Sequence, residues 1–495
     1  MIPAITFMEE VAPAPDSGTA MAPRPIRRSP AALPFAFATA DLARQLAGER
    51  NEPGWLLDER LAAAAVFEAL PVESNQLYTP YVDLRGAALE TVQPWLTTAA
   101  TISGADVRAG TFGPAGASLP GDVDGVIDLR EDTVIAVALS AAASAAGVTL
   151  ETFGTALDRD PESLRSDLEG GTTLPADDKL AQLARGFWSQ GARLVIPAGV
   201  RLALPILIRW QSGNPDRALI TRTLIRLGAG ASAAIVEEQV PSGAEVKCSE
   251  DQTVPQGFFH GTTEVVLGAD ARLSFASIQD FGPRQTAFQH RHARIGEGAS
   301  LHWAMAQLGS KLVRSRVDNR LEGNRSSVEQ VEIVFGTEDQ LFDLTSYTRH
   351  LGRDTTGNLL SKGALLDRAR SYMKGLITIE KTAVGTDSFL GEFGMNLSKA
   401  TRAVAIPSLE IDQPDCRRAM HSSSVGPIDA NQLFYLESRG IPPDEARKFI
   451  VLGFLEPVVA RVPLESTQEH LRELLEQKWA RGLAATASES SGAAA

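Results

Sequence analysis

A thiol and an imidazole lie close together in the segment DQPDCRRAMHSSSVG, where Cys416 precedes His421. The chain has only two cysteines and seven histidines, so this proximity is unusual. Thiolate and neutral imidazole are both ligands for iron or zinc. One of each does not complete a coordination sphere, so a metal or cluster here would need ligands from a partner chain. A structural loop thiol and a hydrogen-bonded loop histidine remain the alternatives.

Two amphipathic helices are predicted directly after this segment. Asp429, with Gln432 three residues later, gives the pattern of a capping box at the start of the first helix. Gly440 stands where a helix C-cap belongs, and Pro442 and Pro443 stand at the start of the second helix. The sequence therefore predicts a helical hairpin beside the thiol and the imidazole.

The predicted hairpin carries more large apolar side chains than two short helices need to pack together. We expect Phe434 and Phe454 to pack inside and the others to form an apolar ridge on the outside. Such a ridge suits a protein partner. Packing of the whole hairpin against the preceding strands is the alternative.

Composition limits the class of protein. A chain of 495 residues is too long for a single hydrophobic core of ordinary size. Its net charge of −14 argues against a nucleic-acid partner held through phosphates. No apolar run approaches the roughly 20 residues that span a bilayer, and the N-terminus lacks the order of a signal peptide. We therefore expect no membrane or nucleic-acid partner. Two distant cysteines favour a reducing, cytoplasmic location.

Changes in composition and in the spacing of apolar residues divide the chain into five parts. Pro, Ala and Ser dominate the N-terminus, helical spacing follows, and short apolar strands with Gly turns begin near residue 192. We predict a disordered extension at 1–32, a helical and mixed region at 33–191, a strand core at 192–412, a helical region at 413–482 and a disordered tail at 483–495.

Glycines recur among the predicted strands, at positions 228, 268, 296, 323 and 363. This spacing suits the coils of a β-solenoid, with Gly supplying a positive φ at each corner. Alternating side chains would point inward and outward along each strand. An antiparallel sandwich also has short strands and Gly turns, so the pattern alone leaves both folds open.

Longer blocks of sequence resemble a known family. The segments NEPGWLLDERLAAAAVFEALP, GFWSQGARLVIPAGVRLALPI, RHLGRDTTGNLLSKGALLDRARSYMKGLITI and QLFYLESRGIPPDEARKFIVLGF are similar to blocks of the SufB/SufD family of iron–sulfur cluster assembly proteins. The SufD type is the better match. The resemblance implies a mainly β protein, with a right-handed parallel β-helix core flanked by N-terminal and C-terminal helical regions.

The resemblance also implies a function and partners. A SufD-type chain is a non-catalytic scaffold that pairs with a SufB-type subunit and docks an ABC-type ATPase, SufC, through its C-terminal helices. No phosphate-binding loop of the G-x-x-x-x-G-K-[ST] type occurs here, as expected of such a subunit. A transient iron–sulfur cluster at the complex interface is implied, with none bound stably by this chain alone. A homodimer is also possible. We assign the docking surface to six hairpin residues: Phe434, Tyr435, Arg439, Gly440, Phe449 and Phe454.

The site motif departs from the family pattern C-x-H-G-A-T-[VT]-G. Aligning SSSVG with GATVG places His421 on the family histidine, whereas Ala419 falls where the cysteine belongs and Cys416 lies three residues earlier. A SufB-type scaffold or a divergent assembly paralogue therefore stays open. A carbohydrate-active β-helix enzyme is a more distant alternative, because sugar-stacking aromatic residues are scarce at 6%.

Overall fold

The computed structural model describes residues 35–84, 87–96, 121–170, 174–243 and 256–492, with side chains described through Gly482. The predicted extension at 1–32 and the second cysteine, Cys248, lie outside these residues. The strands of the first part of the chain are β1 (Gln93–Pro94), β2 (Gly125–Arg130), β3 (Thr133–Leu139), β4 (Thr149–Thr152), β5 (Gln190–Ile196), β6 (Ile206–Ser212), β7 (Arg217–Leu227) and β8 (Ser232–Pro241).

Long strands fill most of the remaining chain. They are β9 (Gly257–Leu267), β10 (Arg272–Gln279), β11 (Gln285–Ile295), β12 (Ser300–Gln307), β13 (Leu312–Leu321), β14 (Ser327–Gly336), β15 (Leu341–His350), β16 (Thr356–Leu365), β17 (Arg370–Ile379), β18 (Asp387–Asn396), β19 (Arg402–Ile411) and β20 (Arg418–Gly426). Tight turns join each strand to the next, which lies in the opposite sheet.

Helices lie on both sides of the strands in the sequence. The N-terminal helices are α1 (Ala40–Glu49), α2 (Gly54–Ala69), a short 3₁₀ helix (Thr79–Tyr81), α3 (Ala141–Ala145), α4 (Phe153–Arg159), α5 (Pro161–Gly170) and α6 (Lys179–Phe187). The C-terminal helices are α7 (Ala430–Ser438), α8 (Pro443–Val459) and α9 (Glu465–Gly492). None of the helices in the described part of the chain combines the length and the apolar character needed to cross a bilayer.

Two sheets of mainly parallel strands face each other, with the antiparallel pairs β4–β5 and β2–β3 at one end. Sheet 1 has the order β19-β17-β15-β13-β11-β9-β7-β5-β4, and sheet 2 has the order β20-β18-β16-β14-β12-β10-β8-β6-β2-β3. Because consecutive strands from β5 onward alternate between the sheets and stack in register, the chain winds through about eight turns of a parallel β-solenoid. The strand pattern alone did not distinguish a solenoid from a sandwich. The parallel β-helix flanked by helices, which the family resemblance implied, is confirmed.

The solenoid buries apolar side chains on three surfaces. Its interior holds Phe259, Phe275 and Trp303 among many aliphatic residues. The N-terminal helices pack on the outer face of sheet 1, and α8 and α9 pack on the outer face of sheet 2. The strands are therefore covered on both faces over most of the solenoid, and polar side chains on them, such as those of Arg222 and Glu264, are buried as ion pairs.

The glycine prediction is partly wrong. Gly228, Gly268, Gly296 and Gly323 do form a column of corners, but Gly363 lies inside β16 and Gly352 occupies the next corner. The left-handed residues stand two positions after each corner glycine: Gly230, Asp270, Gly298, Arg325 and Asp354. The corner glycines are instead required by close stacking, since a Cβ added at Gly323 would lie 2.0 Å from the backbone nitrogen of Glu297.

Strands and helices extend beyond the predicted domain boundaries. Strands β2–β4 pair with the solenoid although they lie in the region predicted to be helical and mixed, and β20 lies beyond the predicted end of the core at residue 412. The last helix reaches Gly492, within the predicted disordered tail, whose alanines favour helix. The division into functional regions stays a prediction.

Candidate functional site at the open end of the solenoid

The solenoid ends at β19 and β20, the last strands of sheets 1 and 2. Each has a neighbouring strand on one side only among the described residues. β20 is largely exposed and β19 is half-buried over most of its length, and Ile411, Met420 and Val425 present apolar side chains to solvent. An edge of this kind offers unpaired backbone donors and acceptors to another chain. This end, which we call the open end, is the feature around which the candidate residues collect.

The connection between β19 and β20 is held against the preceding turn. The N–H of Gly385 donates to the carbonyl of Asp415 at 2.8 Å, and the N–H of Arg417 donates to the carbonyl of Thr386 at 2.8 Å. The Arg417 guanidinium also pairs with Asp354. These bonds fix the backbone on both sides of the predicted thiol.

Cys416 is a free, half-buried thiol at this connection. It packs against an apolar cluster at the end of the solenoid interior, and Ala419 packs against the same cluster. The buried members of the cluster are Leu359, Ile377, Ile379, Ala383 and Leu390. The position of Cys416 is therefore set by apolar packing, with the sulfur close to the interior opening.

His421 is exposed on β20, in register with Leu390 of β18. Because strand residues alternate between faces, His421 points to the same side as Ala419, toward the interior opening. The structure thus brings Cys416 and His421 to the same end of the solenoid. No hydrogen bond between them occurs in the described structure, so they do not form a preassembled pair.

Sequence reasoning missed a buried carboxyl group one strand below His421. Glu392 on β18 lies in register with Ser423 of β20 and is only 1% exposed. Its Oε2 accepts a hydrogen bond from the N–H of Ile406 on β19 at 2.7 Å. Gly375 leaves the room for this carboxyl, since a Cβ there would lie 2.9 Å from Oε1. The strand period was the available signal, because Glu392 shares a face of β18 with the buried Ser388 and Leu390.

Burial raises the pKa of Glu392 to about 7, against the opposing effects of the Ile406 N–H and of Lys374. In the unfolded chain the pKa returns to about 4.5. The folded state therefore binds more protons between these two values, and the stability that Glu392 contributes is lost as pH rises through 7.

We expect the variant Glu392→Gln to lose this pH dependence. The amide still accepts from Ile406, carries no charge, and should raise the free energy of unfolding at pH 8 by up to about 3 kcal/mol. At pH 4.5 the two proteins should differ much less. Urea unfolding at several pH values measures the difference, and parallel stability curves for the two proteins would contradict the expectation.

The hairpin after β20 forms as its local signals predict. Asp429 caps α7, its side chain accepting from the N–H of Asn431 at 2.8 Å. Gly440 ends the helix with φ +86°, and the Arg439 guanidinium lies 5.2 Å from the centre of the Tyr435 ring. Pro443 is the first residue of α8. The turn is therefore fixed by short-range interactions.

The expectation that Phe434 packs inside is wrong. Its side chain is 71% exposed, beside Tyr435 at 58% and Phe449 at 64%. The reason is that α7 has no buried residue and packs mainly against α8. We call Phe434, Tyr435 and Phe449 the aromatic patch.

Phe454 occupies a different environment from the aromatic patch. It is half-buried and packs beside the cluster that α8 and α9 form on sheet 2. The Lys362 ammonium of β16 lies 4.6 Å from its ring centre and donates to its carbonyl oxygen at 3.0 Å. Phe454 therefore belongs to the contact between α8 and the solenoid.

No three His, Cys, Asp or Glu side chains within the described ranges are arranged to hold a metal ion. The open end supplies a thiol, an imidazole and a buried carboxyl group on three neighbouring segments. Two edge strands and an aromatic hairpin adjoin them in the sequence.

Comparison with known proteins identifies the family. The family model described as "SUF system FeS cluster assembly, SufBD core domain" matches residues 209–454. The match runs from within β6 to within α8 and so includes most of the solenoid, the open end and most of the hairpin. The chain belongs to the SufB/SufD family.

Individual members of the SufB/SufD family match over different lengths. The iron–sulfur cluster assembly protein SufD of Bacillus subtilis is 28% identical over 303 residues, covering 61% of this chain and 67% of that protein. A SufBD family protein of Staphylococcus haemolyticus is 24% identical over 440 residues, covering 87% of this chain and 91% of that protein. A SufBD family protein of Mycobacterium leprae is 26% identical over 294 residues, 59% of this chain but 33% of that protein.

Membership of the SufB/SufD family makes this chain an iron–sulfur cluster assembly protein. The resemblance noted in the sequence is confirmed at the level of the family. The roles of Cys416, His421 and the six hairpin residues stay predictions.

Proposed function

We propose that the chain is a SufD-type, non-catalytic scaffold subunit that pairs with a SufB-type subunit and docks a SufC-type ATPase. The observation that carries the proposal is the combination of two strands whose outer edges have no neighbouring strand among the described residues, one of them bearing His421, with an exposed aromatic hairpin that follows directly. The similarity to a protein named SufD supports the choice of subunit type.

Pairing is supported by the chemistry of the open end. The exposed side chains of Ile411, Met420 and Val425 lie on β19 and β20, whose outer edges have no neighbouring strand in the described structure. A partner solenoid with a similar end would continue both sheets by strand addition. A second copy of this chain could use the same edges, so a homodimer is the competing outcome.

The iron–sulfur cluster is the cargo of the proposed complex. His421 would supply one ligand, Cys416 a second if the connection before β20 shifts, and the SufB-type subunit the rest. A shared site of this kind holds the cluster only while the subunits are assembled. This arrangement agrees with our expectation of no cofactor bound stably by the single chain.

Docking of the ATPase is assigned to the aromatic patch, with Arg439 and Gly440 shaping the turn between its two helices. Large aromatic side chains, buried at an interface, commonly carry much of its binding energy. The side chains of Phe434 and Phe449 are mostly exposed to water, which does not stabilise the hairpin by itself. A partner surface would cover them.

The double variant Phe434→Ala/Phe449→Ala tests the docking. We expect ATPase affinity to fall at least about 30-fold, since truncating one interface hot spot costs about 2 kcal/mol. The melting temperature should hardly change, because both side chains are exposed. Calorimetric titration of the purified chain with the ATPase measures the affinity, and pull-down with the SufB-type subunit reports pairing separately.

Leu77→Ala is the matched control, because Leu77 is 54% exposed and lies in the N-terminal region, far from the hairpin in sequence. It should leave ATPase affinity at the wild-type value. Equal affinity of the double variant and the control would remove the hairpin from the docking site. Recovery of neither partner by the wild-type chain would contradict the scaffold function itself.

A further inference from the structure

A lysine on the solenoid makes an unusual contact with the middle of a helix. Lys362 of β16 donates from Nζ to the carbonyl oxygen of Phe454 in α8 at 3.0 Å, and its ammonium lies 4.6 Å from the Phe454 ring. No carboxylate of the described residues forms an ion pair with Lys362. Burial lowers the pKa of this lysine. A partly desolvated ammonium is thus committed to one helix carbonyl and one ring.

The helix has a weak point at this contact. Pro457 lies inside α8 and has no N–H, so the carbonyl of Gly453 loses its usual donor four residues later. Gly453 itself has a lower helix propensity than alanine. Phe454 follows Gly453 directly, so Lys362 binds α8 at the place where the helix is easiest to bend.

The two halves of α8 on either side of this point differ in burial. The C-terminal half buries Leu455, Val458 and Val459 against the outer face of sheet 2. The N-terminal half buries only Ala446 and Val451, and α7, which packs against it, buries nothing. The aromatic patch is therefore on the less buried segment, which is held by Val451 and by the Lys448–Glu476 ion pair with α9. The more deeply buried segment begins at the Lys362 contact.

Lys362 is also connected to the strand that carries His421. It lies in register with Phe393 of β18, and Phe393 lies in register with Ser424 of β20. Ser424 is three residues beyond His421 on the same strand. Two strand spacings thus separate the α8 contact from the open end.

We propose that Lys362 is a positioning residue, which couples the orientation of the α7–α8 hairpin to the strand at the open end. The proposal rests on the proposed function, because the movement it transmits is the one that a docked ATPase imposes on the hairpin. Loss of the ammonium frees the hairpin to pivot at Gly453–Pro457. The docking surface itself stays intact.

Distances between spin labels on the full chain test the resting position. Labels at Lys399→Cys, before β19, and Glu445→Cys, at the start of α8, are introduced with Cys248→Ser and Cys416→Ser. Both label sites are exposed. We expect one narrow distance distribution for the otherwise wild-type chain and a broader, shifted one for Lys362→Met. Lys362→Arg should restore the narrow distribution, and Lys381→Met, which removes an exposed lysine, should leave it unchanged.

The coupling is tested in the assembled complex with both partners. Lys362→Met should keep the wild-type ATPase affinity and lose most of the cluster yield, with recovery in Lys362→Arg. A merely structural loss would lower affinity, yield and melting temperature together. Lys362→Gln provides the same comparison if the methionine variant does not fold.

The measurements can contradict the anchoring role, the coupling and the proposed function separately. Identical distance distributions for Lys362→Met and wild type would overturn the anchoring role. A changed distribution with undiminished cluster yield would overturn the coupling. If wild type does not bind the ATPase, the proposed function fails and the coupling fails with it. If wild type binds the ATPase but Lys362→Met has the wild-type distance distribution, the anchoring role and the coupling fail while the proposed function stands.

Discussion

Replacing His421 with alanine should remove most of the cluster that the assembled complex yields, while the complex still forms. The imidazole is exposed and has no hydrogen-bond partner in the described structure, so its removal leaves the strand pairing of β20 intact. We expect the cluster yield to fall at least about tenfold, since even residues that only support a metal ligand commonly cost this much. Anaerobic assembly with iron and a sulfur source, followed by visible absorption, measures the yield.

Cys416→Ala is the paired variant that separates chemistry from position. The thiol is half-buried against the apolar cluster at the end of the interior, and it lies three residues before the position of the family cysteine. We expect the alanine variant to retain near wild-type yield. If Cys416→Ala loses as much cluster as His421→Ala, the thiol serves as a ligand after all. If both variants lose complex formation, neither residue has been shown to act on the cluster.

Replacing Gly323 with alanine should destabilise the solenoid by about 3 kcal/mol. A Cβ at this corner would lie 2.0 Å from the nitrogen of Glu297 and 2.2 Å from the carbonyl carbon of Gly296, both of them backbone atoms of the preceding turn. Backbone stacked in register cannot move aside without breaking the hydrogen bonds of adjacent corners. Gly323 has no positive φ, so the cost arises from this close approach.

Gly363→Ala is the matched control for the corner substitution. Gly363 lies inside β16, and the nearest atom to an added Cβ there is Oγ of Ser371 at 3.4 Å. We expect no loss of stability, because alanine removes conformational freedom from the unfolded chain at a site with room for it. Urea unfolding measures both variants. Equal stability of the two variants would show that the corners tolerate a side chain.

The sequence predicted best what short-range interactions decide. Asp429, Gly440 and Pro443 occupy the cap and first-turn positions that define the helical hairpin, and the structure has them there. One of the four family blocks, QLFYLESRGIPPDEARKFIVLGF, covers this hairpin, and the blocks together led to the correct family. Alternating strands and recurrent glycines were also visible, but they did not distinguish a solenoid from a sandwich. That choice depends on pairing between residues one whole turn apart.

By itself, then, the sequence determined the local elements, the family and the chemical types available at the site: a thiol, an imidazole and an aromatic hairpin. Only the tertiary structure decided which side chains meet. It placed Gly352 at a corner in place of Gly363, exposed Phe434, and buried Glu392 one strand below His421. Each of these outcomes depends on the register of stacked turns or on whether a neighbouring element covers a face. Such contacts join residues far apart in the chain, where spacing along the sequence carries little information.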